Sequence, residues 1–224
     1  IRVGKVSSTP QDPSQGFMEA THRMLREADV SPNEVGYVVH GTTVATNSII
    51  EGKVARTGFI TTDGFRDLLE IQRQIRPSLY DLQFEKPRPL VPRYLCFGVP
   101  ERLDAQGNVL TPLNELAVRD VAEQLRQEGV ESIAVCFLHA YAYPEHEQIV
   151  GEFLSRELPH LQVSLSSDVL PERKEYERTA TTAVNAYVRP IMQSYLTEMR
   201  RELDGLDIRA PLLIMQSSGG LATE

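Results

Sequence analysis

Apolar and polar positions along this chain alternate in short blocks, some with the period of a strand and some with that of a helix. The opening residues Arg2 to Val6 read as a strand. Asp12 then caps a helix with Pro13 at its first position and Gln15 three residues beyond the cap. Phe17, Thr21, Met24, Leu25 and Ala28 recur on one face of that helix, which runs to about Asp29 and packs on a sheet. Val35 to His40 is an apolar run of strand length that stops at Gly41-Thr42-Thr43. A helix from about Val44 to Glu51 ends at Gly52, and a further strand, Ala55 to Thr61, follows. Strand, helix and strand in succession is the signature of a parallel sheet with helical crossovers. Val35 to His40 and Ala55 to Thr61 are therefore expected as neighbours in one sheet, with the helix after Thr43 packed on its face; an antiparallel sandwich would contradict this.

The stretch from Arg76 to Pro100 carries Pro77, Pro87, Pro89, Pro92 and Pro100 and reads as an extended loop, a kind of segment that is often functional. Val99 to Leu103 and Val109 to Leu110 flank a hairpin turn over Asp104 to Asn108. Thr111 then caps a helix with Pro112 at its start and Leu113, Leu116, Ala117, Val121 and Leu125 on its buried face. Ile133 to Leu138 reads as a buried strand, Glu145 to Leu158 as an amphipathic helix and Val163 to Ser166 as a short strand. A long helix from about Glu175 to Leu203 carries Tyr176, Ala180, Ala183, Tyr187, Ile191 and Tyr195 on one stripe. Pro190 should kink it, and Leu212 to Met215 is the last strand. The fold class expected is α/β, with mixed sheets and helical crossovers, organised as an α/β region over residues 1–170 and a long kinked helix opening a further domain over 171–224.

Composition narrows the function classes. At 224 residues, 41% hydrophobic and 24% charged, the chain has the make-up of one large or two small globular domains. No apolar run approaches the roughly 20 residues of a membrane-spanning helix, and IRVGKVSSTP has no feature of a secretory signal, so no membrane partner and a cytoplasmic location are expected. The net charge is −8, from 31 acidic and 23 basic residues, and the basic residues are dispersed, which argues against nucleic acid as a partner. Cys96 and Cys136 sit in apolar contexts and suit reduced core thiols. The GxxxxGK[ST], GxGxxG, GxSxG and HExxH motifs are absent. No metal is assigned: a site built on Cys136, His139 and His146 lacks a fourth ligand nearby in the sequence, and the plainer reading has His139 ending a strand and His146 capping the next helix.

Four segments carry candidate chemistry, each with a plainer reading beside it. His40-Gly41-Thr42-Thr43-Val44-Ala45-Thr46-Asn47 runs from a strand end into a helix N-terminus, where open α/β sheets bind ligands. Gly41 admits a close backbone approach, and Thr42, Thr43 and Asn47 add hydroxyl and amide groups to unpaired N–H groups that attract anions; or a threonine simply caps the helix. In the segment from Gly64 to Pro77, with Tyr80 after it, Arg66, Glu70 and Arg73 fall on one side of a helix. There they form a solvated ladder, or the arginines, Arg76 included, clamp a carboxylate or phosphate. Arg178, Thr182 and Asn185 share one helical edge, as a solvated face or as a cation, hydroxyl and amide set. Gln216-Ser217-Ser218-Gly219-Gly220 either cradles a ligand or only turns.

Taken in order, HGTTVATNSIIEG, ARTGFITTDGFRDLLEIQRQIRPSLYDL, EYERTATTAVNAYVRP and MQSSGGL resemble the hydantoinase A/5-oxoprolinase family, and the resemblance runs from KVSSTP to the last residues. It implies a fold like that of actin, sugar kinases and heat-shock ATPases, in which ATP lies between two related lobes. Residues 1–170 would then be the family's N-terminal region and 171–224 the start of its next domain. Family members are ATP-dependent hydrolases of cyclic amides such as 5-oxoproline and hydantoins, or ATP-dependent ketone carboxylases, and the hydantoinase-type chains commonly work with a second, B-type subunit. They also begin with a glycine- and threonine-rich phosphate loop holding an aspartate and carry a second such loop further on. Neither is present here, and both ends, Ile1 and the stretch after Gly219, read as cut. The resemblance thus implies ATP and Mg in a longer parent and none tightly bound to this piece, which should show no ATP hydrolysis above background alone; robust magnesium-dependent turnover would refute that.

Such an enzyme uses ATP because an amide carbonyl is resonance-stabilised against water, and phosphoryl transfer to its oxygen creates a leaving group. The same transfer to bicarbonate or an enolised ketone serves a carboxylase, so the chemistry is shared up to that branch. It needs cationic clamps and metal ions. The resemblance makes Gly41, Thr42, Thr43, Asn47, Arg66, Glu70, Arg73, Arg76, Tyr80, Arg178 and Thr182 candidates for the substrate side and Gly219 and Gly220 for the cofactor. A reading from another class is a non-catalytic small-ligand-binding α/β module, which calorimetry with 5-oxoproline or a hydantoin and no nucleotide would distinguish.

Overall fold

Six consecutive buried residues, Thr57–Thr62, form a strand covered on both faces, the environment of a central parallel strand. The computed structural model in which it lies describes residues 1–7, 9, 13–75, 80, 81, 83–85 and 87–223. In chain order its elements are α1 (Pro13–Ala28), β1 (Val38–His40), α2 (Val44–Glu51), β2 (Thr57–Thr62), α3 (Leu68–Ile71), β3 (Cys96–Val99), β4 (Arg102–Leu103), β5 (Val109–Thr111) and α4 (Glu115–Gln127). They continue with β6 (Ser132–Cys136), α5 (Glu145–Glu157), β7 (Gln162–Leu165), α6 (Ser166–Val169), α7 (Glu175–Gly205), β8 (Leu212–Met215) and β9 (Leu221–Thr223). The chain divides into two compact units, one made of Ile1–Gly52 with Ile191–Glu224 and the other of Lys53–Pro190. Among the described residues no helix is long and apolar enough to cross a membrane.

In the unit Lys53–Pro190 the sheet order is β3-β2-β6-β7, and every pairing in it is parallel. Phe59, Ile60, Ile133 and Val135 are enclosed by Val121 and Leu125 of α4, Val150 and Leu154 of α5 and Ala183 of α7. Gly58 is where α4 comes down on the sheet: a Cβ there would lie 2.4 Å from Leu125 Cδ2. α4 starts later than its sequence suggests, because Thr111 closes the β4/β5 hairpin and Asn114 supplies the cap, its side chain accepting the Ala117 N–H at 3.0 Å. The proline-rich stretch also hides an element: Cys96–Val99 pairs with β2, and its prolines flank the strand rather than interrupt it. Both cysteines are free and buried, as their apolar contexts indicated.

In the other unit β1 pairs parallel with β8, and β8 pairs antiparallel with β9, a short strand that the sequence did not suggest. Met18 of α1, Met199 and Leu203 of α7, and Ile208, Ala210 and Leu212 form its core. Three expectations are corrected here. β1 and β2 are not neighbours, since the chain leaves this unit after Gly52 and β1 finds its partner only when the chain returns. α2, rather than packing on a sheet face, buries none of its residues. Residues 2–6 form no strand, and Asp12, the expected cap of α1, lies outside the described residues. α7 is helical from Glu175 to Gly205 with Pro190 inside it.

Candidate functional site

Parallel pairing of β1 with β8 matches His40 with Ile214, which brings Gly41 beside Met215 at the carboxyl edge of the sheet. The turn from β1 into α2 and the turn from β8 into β9 therefore leave the same edge side by side. In the first, the Val44 N–H donates to Thr42 Oγ1 at 3.2 Å, Asn47 Nδ2 donates to Thr43 Oγ1 at 3.3 Å, and Thr43, the N-cap residue, makes no side-chain cap bond. The cap reading is thus met only in part. The first turn of α2 still presents N–H groups of the kind that favour an anion. In the second turn the Gln216 N–H donates to Gly220 O at 2.8 Å and the Gly219 N–H to Gln216 O at 2.9 Å. Gly219 has φ 91°, a conformation that favours glycine, whereas a Cβ on Gly220 would sit 2.9 Å from Gln216 Oε1, the free end of a flexible side chain.

Beneath the first turn lies His40, which carried no role in the sequence beyond ending a strand. Its Nε2 is 2.8 Å from the Tyr195 hydroxyl, and its ring meets Phe17 edge to face at 4.9 Å. Burial pushes its pKa below the ordinary 6.5, which keeps the ring neutral at pH 7.

The remaining candidates belong to the other unit, and there the local geometry departs from a helical ladder. α3 has four residues and ends at Gln72, where φ is 55°; Gln74 is likewise left-handed. Arg66, Glu70, Arg73 and Tyr80 are exposed, and Arg76 lies outside the described residues. Arg73 does not stack with Glu70 along a helix; it pairs with Glu177 of α7. Arg178, read as part of a solvent-facing edge, is instead fully buried. Its Nη1 donates to Glu172 O at 2.8 Å, Nη2 to Phe137 O at 2.7 Å and Nε to Cys136 Sγ at 3.4 Å, while Tyr141 lies under the guanidinium. Thr182 donates to Arg178 O at 2.7 Å and Asn185 Nδ2 to Ser164 Oγ at 2.9 Å. This edge fastens α7 to the carboxyl ends of β6 and β7.

A buried polar cluster that the sequence did not reveal occupies the same ends. Thr62 Oγ1 donates to Glu101 and accepts the Leu138 N–H at 3.0 Å. The second Glu101 oxygen is 2.8 Å from His146 Nδ1, so His146 is a buried partner within α5 and not a cap. Glu147 accepts the N–H groups of Phe137 and Ser167, each at 2.8 Å, and the Ser166 hydroxyl at 2.6 Å. Burial raises the Glu147 pKa above its ordinary 4.5 although those bonds pull it down. Burial likewise pushes Cys96 up to about 12. Among the described residues no three His, Cys, Asp or Glu side chains are grouped to hold a metal ion. A surface cavity of about 700 Å³, lined by Pro32, Asn33, Val35, Asp207, Arg209 and Ala210, lies before the starts of β1 and β8, at the end of the sheet away from the glycine turns.

Comparison with known proteins places these features in a family. Residues 1–158 match the Hydantoinase/oxoprolinase N-terminal region and residues 178–224 match Hydantoinase/oxoprolinase. Caprolactamase subunit alpha of Pseudomonas jessenii is 31% identical over 99% of this chain and 33% of its own length, and 5-oxoprolinase 1 of Arabidopsis thaliana is 32% identical over 90% of this chain and 17% of its own. The crystal structure of the ATP-dependent caprolactamase from Pseudomonas jessenii superposes with a TM-score of 0.90 at 30% identity, covering 99% of this chain and 33% of that one. The nucleotide-free structure of acetone carboxylase gives 0.83 at 27% identity, covering 97% and 33%. The chain spans about a third or less of the length of these relatives. It belongs to the hydantoinase/oxoprolinase family, with the α/β fold of mixed sheets expected of a partial actin-like ATPase.

Proposed function

We propose that this chain is part of an ATP-dependent enzyme that hydrolyses cyclic amides, acting in the cytoplasm with Mg and with a second subunit of the hydantoinase B type. The observation that carries the reading is the pair of turns that leave one sheet edge side by side, Gly41–Asn47 and Gln216–Gly220, one bearing hydroxyl and amide groups and the other two glycines. This donor set suits the oxygens of a phosphate: Thr42, Thr43, Asn47 and the first turn of α2 would hold them, and Gly219 and Gly220 would leave room for the cofactor beside them. Bound ATP supplies the phosphoryl group that makes an amide oxygen a leaving group. The chain's own part is positional. The glycines let the backbone come close, the α2 N-terminus favours negative charge, and His40, neutral and anchored on Tyr195, holds the end of β1 under the turn. Arg66, Glu70, Arg73, Arg76 and Tyr80 remain proposed contacts on the substrate side; Arg178 and Thr182, buried and bonded to the chain itself, serve the packing of α7.

The test is ADP release by the protein at its native length with its co-purifying subunit, in the presence of 5-oxoproline, a hydantoin or caprolactam. Cyclic-amide-dependent release matched by ring opening is expected. ATP hydrolysis that depends on bicarbonate and a ketone would instead favour a carboxylase, a second reading supported by the likeness to acetone carboxylase.

A further inference from the structure

The order β3-β2-β6-β7 contains a reversal. From β2 the chain goes on to β3 on one side, and from β6 it goes on to β7 on the other, so the loops leaving β2 and β6 separate. In open parallel sheets the crevice outside the carboxyl ends at such a point is where ligands bind. Here those ends are Thr62 and the run from Phe137 to His139, and the groups gathered there are not explained by packing alone.

Glu101 is fully buried and takes up His146 Nδ1, while a tenth of the His146 side chain reaches solvent. A carboxylate on Nδ1 holds the ring proton on that side, which leaves Nε2 with a lone pair in a fixed direction. Glu101 is itself fixed by Thr62, and Thr62 by the Leu138 N–H, so the line from the end of β2 to α5 is rigid. His139, in the same connection between β6 and α5, has a left-handed backbone, φ 61°, and its buried Nδ1 has no hydrogen-bond partner. A strained non-glycine residue with an orphan polar atom is a mark of a functional position.

A small-ring amide is locked cis and shows its N–H and C=O on one edge, a donor beside an acceptor. A fixed imidazole lone pair with a second ring nitrogen able to donate complements that edge. An open-chain amide is trans and turns the two groups opposite ways. We infer that the crevice at the carboxyl ends of β2 and β6 recognises the cis edge of a lactam, His146 Nε2 accepting the amide N–H, His139 contacting the carbonyl and Glu101 serving as the positioning residue. The inference rests on the cyclic-amide reading above and names the groups that would select the substrate.

The test is calorimetric binding of caprolactam and 5-oxoproline, each beside its N-methyl derivative, to the protein at its native length with its co-purifying subunit, at pH 8. The unmodified protein should bind at least one N–H lactam tenfold or more tighter than its N-methyl form. Glu101→Gln sets an amide donor against Nδ1 and moves the ring proton to Nε2, the effect known from the trypsin Asp→Asn variant; it should abolish the preference by weakening the N–H lactam alone. A merely structural role would weaken both forms alike. If Glu101→Gln does not fold, His139→Asn decides, since Asn tolerates the left-handed backbone; it should weaken both lactam forms about tenfold while leaving nucleotide affinity unchanged, and unchanged lactam affinity, or an equal loss of nucleotide affinity, overturns the inference. So does a preference retained in folded Glu101→Gln, or none in the unmodified protein. Lactam-stimulated ADP release that persists alongside any of these results leaves the cyclic-amide reading standing, and its absence removes both.

Discussion

Arg178 and Arg73 both meet α7, yet their surroundings give them opposite energetic weights. Arg178→Ala would leave the Glu172 and Phe137 carbonyls without their donor in the interior, and it should cost about 3 kcal/mol in urea unfolding. Arg73→Ala breaks a pair half open to solvent and should cost about 0.5 kcal/mol or less. A reversal of that order would show that the burial assigned to Arg178 is wrong. Kinetics at native length address the substrate role of Arg73: a bidentate contact makes even Arg73→Lys costly, and unchanged catalytic efficiency in both variants removes it from the site. Glu147 has a raised folded pKa, so the folded state holds its proton to higher pH than the unfolded chain does. Its contribution to stability is full below 4.5 and is lost as pH rises through the folded value. Glu147→Gln should flatten the stability profile above pH 4.5, and a variant whose profile parallels the parent's would remove Glu147 as the cause.

At the scale of elements, α4 offers two separable checks. Asn114→Ala removes a formed cap and should cost about 1 kcal/mol. Gly58→Ala drives a methyl group into Leu125, which is fully buried and has no room to retreat; a loss of about 2 kcal/mol is expected from thermal unfolding. α4, α5, α7, β2, β6 and β7 were legible because their apolar periods are long or flanked by clear stops. α3 was overread, since the residues from Arg66 to Arg73 have helical spacing but Gln72 turns left-handed after one turn. β3 was missed because prolines crowd its flanks. The glycine turns were visible as candidates since their residue types declare a turn, whereas Glu101 and His146 are 45 residues apart in unremarkable surroundings and become partners only through the packing of α5.

For the molecule as a whole, the informative fact is that one unit is continuous in sequence and the other is not. Residues 53–190 contain a complete parallel sheet with its helices, and this fragment should unfold cooperatively in urea when produced alone; a broad, non-cooperative transition would show that it depends on the flanking segments. Local periodicity carried no trace of this division, because nothing in a strand of three residues such as β1 states where its partner lies.

That interrupted unit also sets an order in time. β1 emerges from the ribosome about 170 residues before β8, a wait on the order of ten to thirty seconds at ordinary translation speeds. During that interval the 53–190 segment is free to close around its own core, while the edge of β1 that β8 will cover stays open. The glycine turns at the ends of β1 and β8 thus come together only after the intervening segment has been made, and any slowing of synthesis within that segment would lengthen the time β1 waits for β8.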